Sequence, residues 1–176
     1  MKTILLILFT WPLYAGAPVY TVLDQDTNSD RLNKASAKGV SGDEISFDLS
    51  SSNKSLTNES YVRSVEINGQ TFKVGLQDEI DPTQSIPFFK VTFPKDSIDR
   101  EIYVLAGPKG TSGASFHYFI KSERGKYIYS GLHPEITFDR DQQSFYSVEK
   151  DGPRAHITTW TLKDSRFVAQ TTESVR

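Results

Sequence analysis

Along most of the chain, apolar and polar residues alternate in short runs that end at turn-forming residues. β-branched and aromatic residues dominate these runs, and short alternating runs at even spacing are typical of β-strands. None of the runs repeats its apolar residues with the spacing of an amphipathic helix. The pattern predicts twelve strands, at residues 19–23, 44–49, 62–68, 70–74, 88–93, 101–105, 115–121, 126–129, 135–138, 144–149, 155–161 and 166–170.

Turn chemistry predicts how neighbouring strands pair. Asn68-Gly69 separates two alternating runs, and this dipeptide accepts the positive φ angles that a two-residue hairpin turn requires. Further hairpin turns are predicted at residues 123–125, 151–152 and 163–165. The chain is therefore expected to be all-β and built from antiparallel hairpins.

Two segments interrupt the strand pattern. Residues 50–60 are polar and rich in serine and asparagine, which predicts a loop or an insertion. Residues 106–114 are rich in glycine and carry few bulky side chains. Such a long exposed loop often carries function, although a plain connector is the more common outcome.

The first seventeen residues have the composition of an export signal. Lys2 precedes an apolar run at residues 4–9, and small residues follow at Ala15, Gly16 and Ala17. A basic start, a short apolar core and small residues at the exit are typical of a secretory signal peptide. The apolar run is also shorter than the about 20 residues that a membrane-spanning helix needs. We predict that residues 1–17 are a signal peptide, cleaved after Ala15 or Ala17, and that residues 18–176 form a single β domain.

Charge and cysteine content narrow the location and the partners. The formal net charge is −2, and removal of Lys2 with the signal makes it −3, so the chain lacks the basic balance of a nucleic-acid-binding domain. It contains no cysteine, which excludes disulfides and a lipid anchor on cysteine. Small secreted eukaryotic domains usually depend on disulfides. The Gram-negative periplasm is therefore the predicted location.

Catalytic signatures are scarce in this sequence. It has no thiol nucleophile, no Gly-x-Ser-x-Gly elbow, no P-loop and no dinucleotide fingerprint, and we predict that the protein is not an enzyme. Glu135, Asp139 and Asp141 keep a hydrolase possible, since glycoside hydrolysis uses paired carboxylates. They lie at a predicted strand end and turn, where solvated carboxylates are ordinary.

Two metal sites can be considered. His117, His133 and His156 could converge on zinc, although they lack the close pair of ligands that such sites usually contain.

A second metal site would lie in the segment that follows the first predicted strand. Asp24, Asp26, Asn28 and Asp30 place oxygen side chains at alternate positions, as a calcium loop does. The glycine and the later acidic residue of such a loop are missing, and an Asx turn is the simpler interpretation.

The C-terminal part carries several short, turn-rich motifs. They are Gly-Pro-Lys-Gly-Thr-Ser-Gly-Ala-Ser-Phe-His-Tyr-Phe-Ile at 107–120, Gly-Lys-Tyr-Ile-Tyr at 125–129, Ile-Thr-Phe-Asp at 136–139 and Ser-Val-Glu-Lys-Asp-Gly-Pro-Arg-Ala-His-Ile-Thr-Thr-Trp-Thr-Leu at 147–162. This part resembles a family of small periplasmic bacterial proteins with an incomplete β-propeller, related to calcium-binding propeller repeats. The best understood members act as lysozyme-type inhibitors or as immunity proteins against secreted wall-degrading effectors. The resemblance implies an all-β single domain whose antiparallel hairpins form an incomplete β-propeller or a sandwich.

The resemblance also implies where a partner would bind. Other periplasmic lysozyme inhibitors insert a Ser-Gly-x-x-Tyr loop into the enzyme cleft, and residues 112–116 match this loop in part, with Phe116 in place of the tyrosine. The expected function is binding and inhibition of a cell-wall hydrolase, a lysozyme-type muramidase or a secreted effector, without a cofactor other than possible calcium. A calcium-stabilised structural or adhesive module is the alternative. The expected contact residues are Gly110, Ser112, Gly113, Ser115, His117, Tyr118, Arg154 and His156.

Overall fold

The computed structural model of the protein describes residues 18–26, 34–39, 41–51, 60–75, 85–94, 97–108, 110 and 112–175. The predicted signal peptide lies outside these residues, as does the part of the predicted polar loop at residues 52–59. The described residues form strands and turns without a helix. The strands are β1 (Val19–Val22), β2 (Asp24–Asp26), β3 (Lys34–Lys38), β4 (Glu44–Ser51), β5 (Ser60–Ile67), β6 (Gln70–Lys73), β7 (Phe88–Thr92), β8 (Ile102–Ala106), β9 (Ser115–Lys121), β10 (Tyr127–Pro134), β11 (Thr137–Asp139), β12 (Ser144–Asp151), β13 (Arg154–Lys163) and β14 (Arg166–Val175).

The strands form three antiparallel sheets. The first sheet has the order β2-β3-β4-β5-β6, the middle sheet β1-β7-β8-β9-β10, and the third sheet β11-β12-β13-β14. Apart from β1, each strand therefore lies beside its neighbour in the chain. The predicted all-β, antiparallel fold is confirmed, and three stacked meanders are consistent with a sandwich or an open propeller-like arrangement.

The middle sheet is buried on both faces. On β8, Tyr103 and Leu105 pack into a core shared with the first sheet, whereas Ile102 and Val104 pack into a second core shared with the third sheet. Successive side chains of a strand point to opposite faces, so a strand between two layers needs an apolar residue at every position. The unbroken apolar run at residues 102–105 meets this need.

Aromatic rings fill both cores. In the first core, the ring of Phe88 lies 5.2 Å from that of Phe47 and 6.0 Å from that of Phe119. In the second, the rings of Phe145 and Phe167 are 5.4 Å apart. Edge-to-face and tilted pairs of this kind stabilise a core beyond the area they bury.

All twelve predicted strands are present, and two strands were missed. β3 has the sequence Lys-Ala-Ser-Ala-Lys, which lacks the β-branched and aromatic residues that mark a strand. Its Ala35 and Ala37 are nevertheless buried against the first core. β14 also continues beyond its predicted end at residue 170, because pairing with β13 extends to Val175.

Candidate functional site

The glycine-rich loop between β8 and β9 is held at its base. The backbone N–H of Gly107 donates to the carbonyl of Ser115 at 2.8 Å, and the Ser115 hydroxyl donates to the carbonyl of Pro108 at 2.9 Å. Gly110 and Gly113 form an isolated β-bridge nearer the tip. Lys109 and Thr111 lie outside the described residues. The base is therefore closed by backbone contacts, while Gly110, Ser112 and Gly113 are exposed.

The loop lies along the edge of β12 in the third sheet. The backbone N–H of Lys150 donates to the Ser112 carbonyl at 3.2 Å, and that of Glu135 donates to the Ala114 carbonyl at 3.1 Å. β11 covers β12 only from Ser144 to Tyr146. The loop thus occupies an edge position further along β12 and brings its exposed tip to one end of the third sheet.

Arg154 and His156 lie at this same end of the third sheet. Arg154 is exposed beside the turn that joins β12 to β13. His156 is half-buried, and its Nδ1 lies 2.8 Å from the Ser174 hydroxyl of β14. Because Ala155 pairs with Lys150, which in turn binds the loop, the structure brings the two predicted contact residues close to the loop tip.

His117 and Tyr118 are not surface residues, and their predicted contact with a partner is wrong. His117 is 1 % exposed and faces the first sheet, where its Nδ1 lies 2.8 Å from the Tyr129 hydroxyl. Tyr118 is fully buried on the opposite face, where its hydroxyl accepts a hydrogen bond from the backbone N–H of Ile136 at 3.0 Å. Both predictions assumed that β9 has an outer face, whereas the middle sheet is covered on both sides.

The three histidines do not converge on a zinc site. His117 and His133 lie on opposite faces of the middle sheet, since the ring of His133 packs 4.9 Å from that of Trp160 in the third sheet. His156 lies further along the third sheet. Within the part of the chain that the structure describes, no three potential metal-ligating side chains are grouped together.

The candidate hydrolase carboxylates have structural partners. Glu135 accepts a hydrogen bond from the Tyr20 hydroxyl at 2.9 Å, and Asp139 accepts from the backbone N–H of Asp141 at 2.8 Å in an Asx turn. Glu135 and Asp139 flank the three-residue β11, which separates them by about 13 Å. This exceeds the separation of about 5 to 9.5 Å that glycoside hydrolysis uses.

The first half of the predicted calcium loop is a strand. Asp24 and Asp26 lie on β2 and are exposed on the same side, while Gln25 between them binds the backbone of Ile86 through both ends of its amide, at 2.8 Å each. The predicted tight loop beginning at Asp24 is therefore wrong. Asn28 and Asp30 lie outside the described residues, so calcium binding stays a prediction.

A polar cluster that the sequence gave no sign of joins the first sheet to the middle sheet. We call it the Asp43 cluster, and it centres on a carboxylate that is 6 % exposed. Asp43 accepts hydrogen bonds from the hydroxyls of Tyr127 at 2.7 Å and Tyr103 at 3.0 Å, and from the Asn68 amide at 2.6 Å. The Lys121 ammonium lies 3.6 Å from the same carboxylate.

Glu101 extends this cluster within the middle sheet. Its carboxylate forms ion pairs with Lys121 at 2.8 Å and Lys90 at 3.3 Å, and it accepts a hydrogen bond from the Ser41 hydroxyl. An open groove of about 940 Å³ runs beside it. Elsewhere in the groove, Arg100 pairs with Glu123 at 2.7 Å.

Both carboxyl groups are held in the ionised form. Burial by itself raises the pKa of Asp43, but hydrogen bonds from Tyr127, Asn68 and Tyr103 outweigh it and leave the pKa below its usual value. Burial likewise raises the pKa of Glu101, and its bond to Lys121 outweighs the effect. Neither group can serve as a general acid near neutral pH. The cluster is therefore suited to holding two sheets together.

Acid is expected to weaken this contact. A carboxyl with a lowered folded-state pKa stabilises the fold fully above its unfolded pKa, about 4, and that contribution is lost as pH falls through the folded pKa. Since the pKa values of Asp43 and Glu101 are both lowered, the free energy of unfolding should decrease below about pH 4.

Urea unfolding at a series of acidic pH values would measure this decrease. The Asp43→Asn variant serves as the comparison, because an amide at this position no longer titrates. We expect the variant to have a shallower dependence on pH than the unaltered protein. Identical slopes for the two proteins would contradict the assignment to Asp43.

Comparison of the chain with protein-family models, with curated proteins and with solved structures gives no match. Among the described residues, no helix is long and apolar enough to cross a membrane. The argument for function therefore depends on the residues and their geometry, together with the resemblance of the C-terminal part.

Proposed function

We propose that this protein is an exported binding protein that inhibits a cell-wall hydrolase, acting in the periplasm as a lysozyme-type inhibitor or as an immunity protein against a secreted effector. The loop at residues 107–115 enters the enzyme cleft, and Arg154 and His156 contact the rim. The export signal, the cysteine-free chain and the resemblance of the C-terminal part support this assignment.

The single observation that carries the proposal is the anchored loop with a small, exposed tip. Hydrogen bonds fix Gly107 to Ser115 at 2.8 Å and Ser112 to Lys150 at 3.2 Å. A loop that is already ordered loses little conformational freedom on binding. The small side chains at Gly110, Ser112 and Gly113 allow close approach of the backbone to a narrow cleft.

The exposed residues around the tip have the chemistry of such an interface. Arg154 is exposed, and its guanidinium can bind a carboxylate through two parallel hydrogen bonds. His156 is held by the Ser174 hydroxyl at 2.8 Å, which fixes its ring. Glycoside hydrolases carry a pair of catalytic carboxylates in the cleft. A hydroxyl, an imidazole and a guanidinium at one end of the third sheet complement such a cleft.

The test is inhibition of a lysozyme-type muramidase by the purified mature protein, followed by cell-wall lysis and by surface plasmon resonance. We expect inhibition and a measurable complex, and a Ser112→Arg substitution should weaken both by more than about tenfold, because a bulky side chain at the tip obstructs insertion. Ser36→Arg is the matched control. Ser36 is exposed on β3 of the first sheet, away from the loop, and its substitution should leave inhibition unchanged.

Two results would contradict the proposal. One is the absence of inhibition and of a complex across muramidases of the lysozyme type and any wall-degrading effector encoded beside this protein. The other is an equal effect of the Ser112 and Ser36 substitutions, which would place the contact away from the loop. Circular dichroism of both variants establishes that each is folded before binding is compared.

A further inference from the structure

The outer edge of the third sheet is long and exposed. β14 runs over ten residues, from Arg166 to Val175, and only Phe167 within it is buried. It is the last strand of the third sheet and pairs only with β13 among the described strands. Val168 and Val175 are 41 % and 43 % exposed. Exposed edges of this length present unpaired backbone groups to other chains.

The hydrogen-bonding groups of β14 alternate between β13 and the open edge. Asp164 and Ser165 have φ angles of 50° and 59°, as in a two-residue hairpin turn, so Arg166 forms the closing pair of the ladder. The next residue, Phe167, therefore directs its N–H and C=O away from β13. Its N–H donates to the Ser130 hydroxyl of β10 at 2.8 Å, as this direction requires.

A bulge in β14 carries the alternation forward. Trp160 faces Ala169, whereas the preceding residue, Thr159, faces Thr171, so one extra residue of β14 lies between them. Beyond the bulge, Thr172 directs its backbone groups to the open edge, as Phe167 does before it.

The charges of β14 lie on the outer face of the third sheet. Phe167 points into the core, so the side chain of Arg166 points outward. Thr172 shares the inner face with Thr158, as their hydroxyls are 3.0 Å apart, so Glu173 also points outward. Neither charged group has an ion-pair partner within the described residues.

We propose that β14 pairs antiparallel with β14 of a second copy of this chain, around a two-fold axis. In the register that places Arg166 opposite Glu173 of the other copy, Phe167 lies opposite Thr172, so backbone groups that point to the open edge meet each other. The two-fold axis generates each contact twice, which gives two ion pairs of opposite charge. The strand is therefore complementary to itself in charge and in hydrogen bonding.

This pairing leaves the loop at residues 107–115 free. The loop lies along the β12 edge of the third sheet, whereas β14 is the edge strand at the other side of the sheet. The proposed dimer is therefore independent of hydrolase inhibition, and either proposal can fail without the other.

Analytical ultracentrifugation of the full mature chain over a wide range of protein concentration tests the dimer. We expect a monomer–dimer equilibrium whose dissociation constant rises more than about tenfold in Arg166→Glu and in Glu173→Arg, because each substitution places like charges opposite each other. The double variant Arg166→Glu with Glu173→Arg restores both ion pairs with reversed polarity. It should bring the dissociation constant back to within about threefold of the original.

The control is Arg124→Glu, which makes the same charge change at an exposed position in the β9–β10 turn, and it should leave the equilibrium unchanged. A monomer at every concentration would overturn the proposal. So would a dimer that tolerates both single substitutions, or one that the double variant fails to restore.

Discussion

Replacement of Asp43 by alanine is expected to lower the free energy of unfolding by about 3 kcal/mol. The carboxylate is 6 % exposed, and its removal leaves the hydroxyls of Tyr103 and Tyr127 without their acceptor at the junction of two sheets. It also leaves the Lys121 ammonium, whose side chain is 29 % exposed, with Glu101 as its remaining partner. Unmet buried polar groups cost more than a surface ion pair gains.

Urea unfolding of Asp43→Ala, followed by tryptophan fluorescence, measures this loss. Asp48→Ala is the control, since the Asp48 carboxylate is 44 % exposed and lies 3.9 Å from Arg63. An exposed pair of this kind contributes less than about 1 kcal/mol. Equal losses for the two substitutions would show that Asp43 does not hold the sheets together.

Replacement of Phe88 by alanine should cost about 4 kcal/mol. This side chain is fully buried between the first and middle sheets, and its ring contacts Phe47 at 5.2 Å, Tyr103 at 5.6 Å and Phe119 at 6.0 Å. Truncation removes the apolar transfer energy and leaves a cavity that rigid neighbouring strands cannot close.

The adjacent Phe89 provides the comparison for this prediction. It points to the other face of β7, is only half-buried, and meets Tyr20 edge-on at 6.2 Å. Denaturant unfolding of Phe89→Ala should show a loss of at most about 2 kcal/mol, because water can fill the space. A larger loss for Phe89 than for Phe88 would overturn the two-core description.

The predicted strands held because their determinants are local. In residues 64–74, alternation and the Asn68-Gly69 turn both predict a hairpin, and the structure pairs Ile67 with Gln70 across that turn. The φ angles of Asn68 and Gly69 are 51° and 76°, as the dipeptide predicts. β3 was missed because Ala35 and Ala37 lie in the strand only through pairing with β4, which no local preference indicates.

The candidate site was predicted in part. The loop at residues 107–115 is visible in the sequence because glycine and small residues mark it. The burial of His117 and Tyr118 was not predictable in the same way. Alternation shows which residues share a face of β9, but it does not show whether a second layer covers that face.

The Asp43 cluster had no signal in the sequence at all. Gly39 and Asp43 read as ordinary turn residues, yet a side chain at Gly39 would collide with the Tyr103 hydroxyl and lie 2.7 Å from the Asp43 Cβ. Tyr103 and Tyr127 are 60 and 84 residues from Asp43 along the chain. Only the stacking of two sheets brings these groups within hydrogen-bonding distance.

The sequence by itself determined the strands, their hairpin turns and the glycine-rich loop, since each depends on backbone preferences over a few residues. Only the tertiary structure decided the rest: that the middle sheet has no outer face, that the loop lies against β12, and that β14 is an open edge. These properties follow from how three sheets stack. Stacking depends on contacts between residues far apart in the chain, and no local pattern records them.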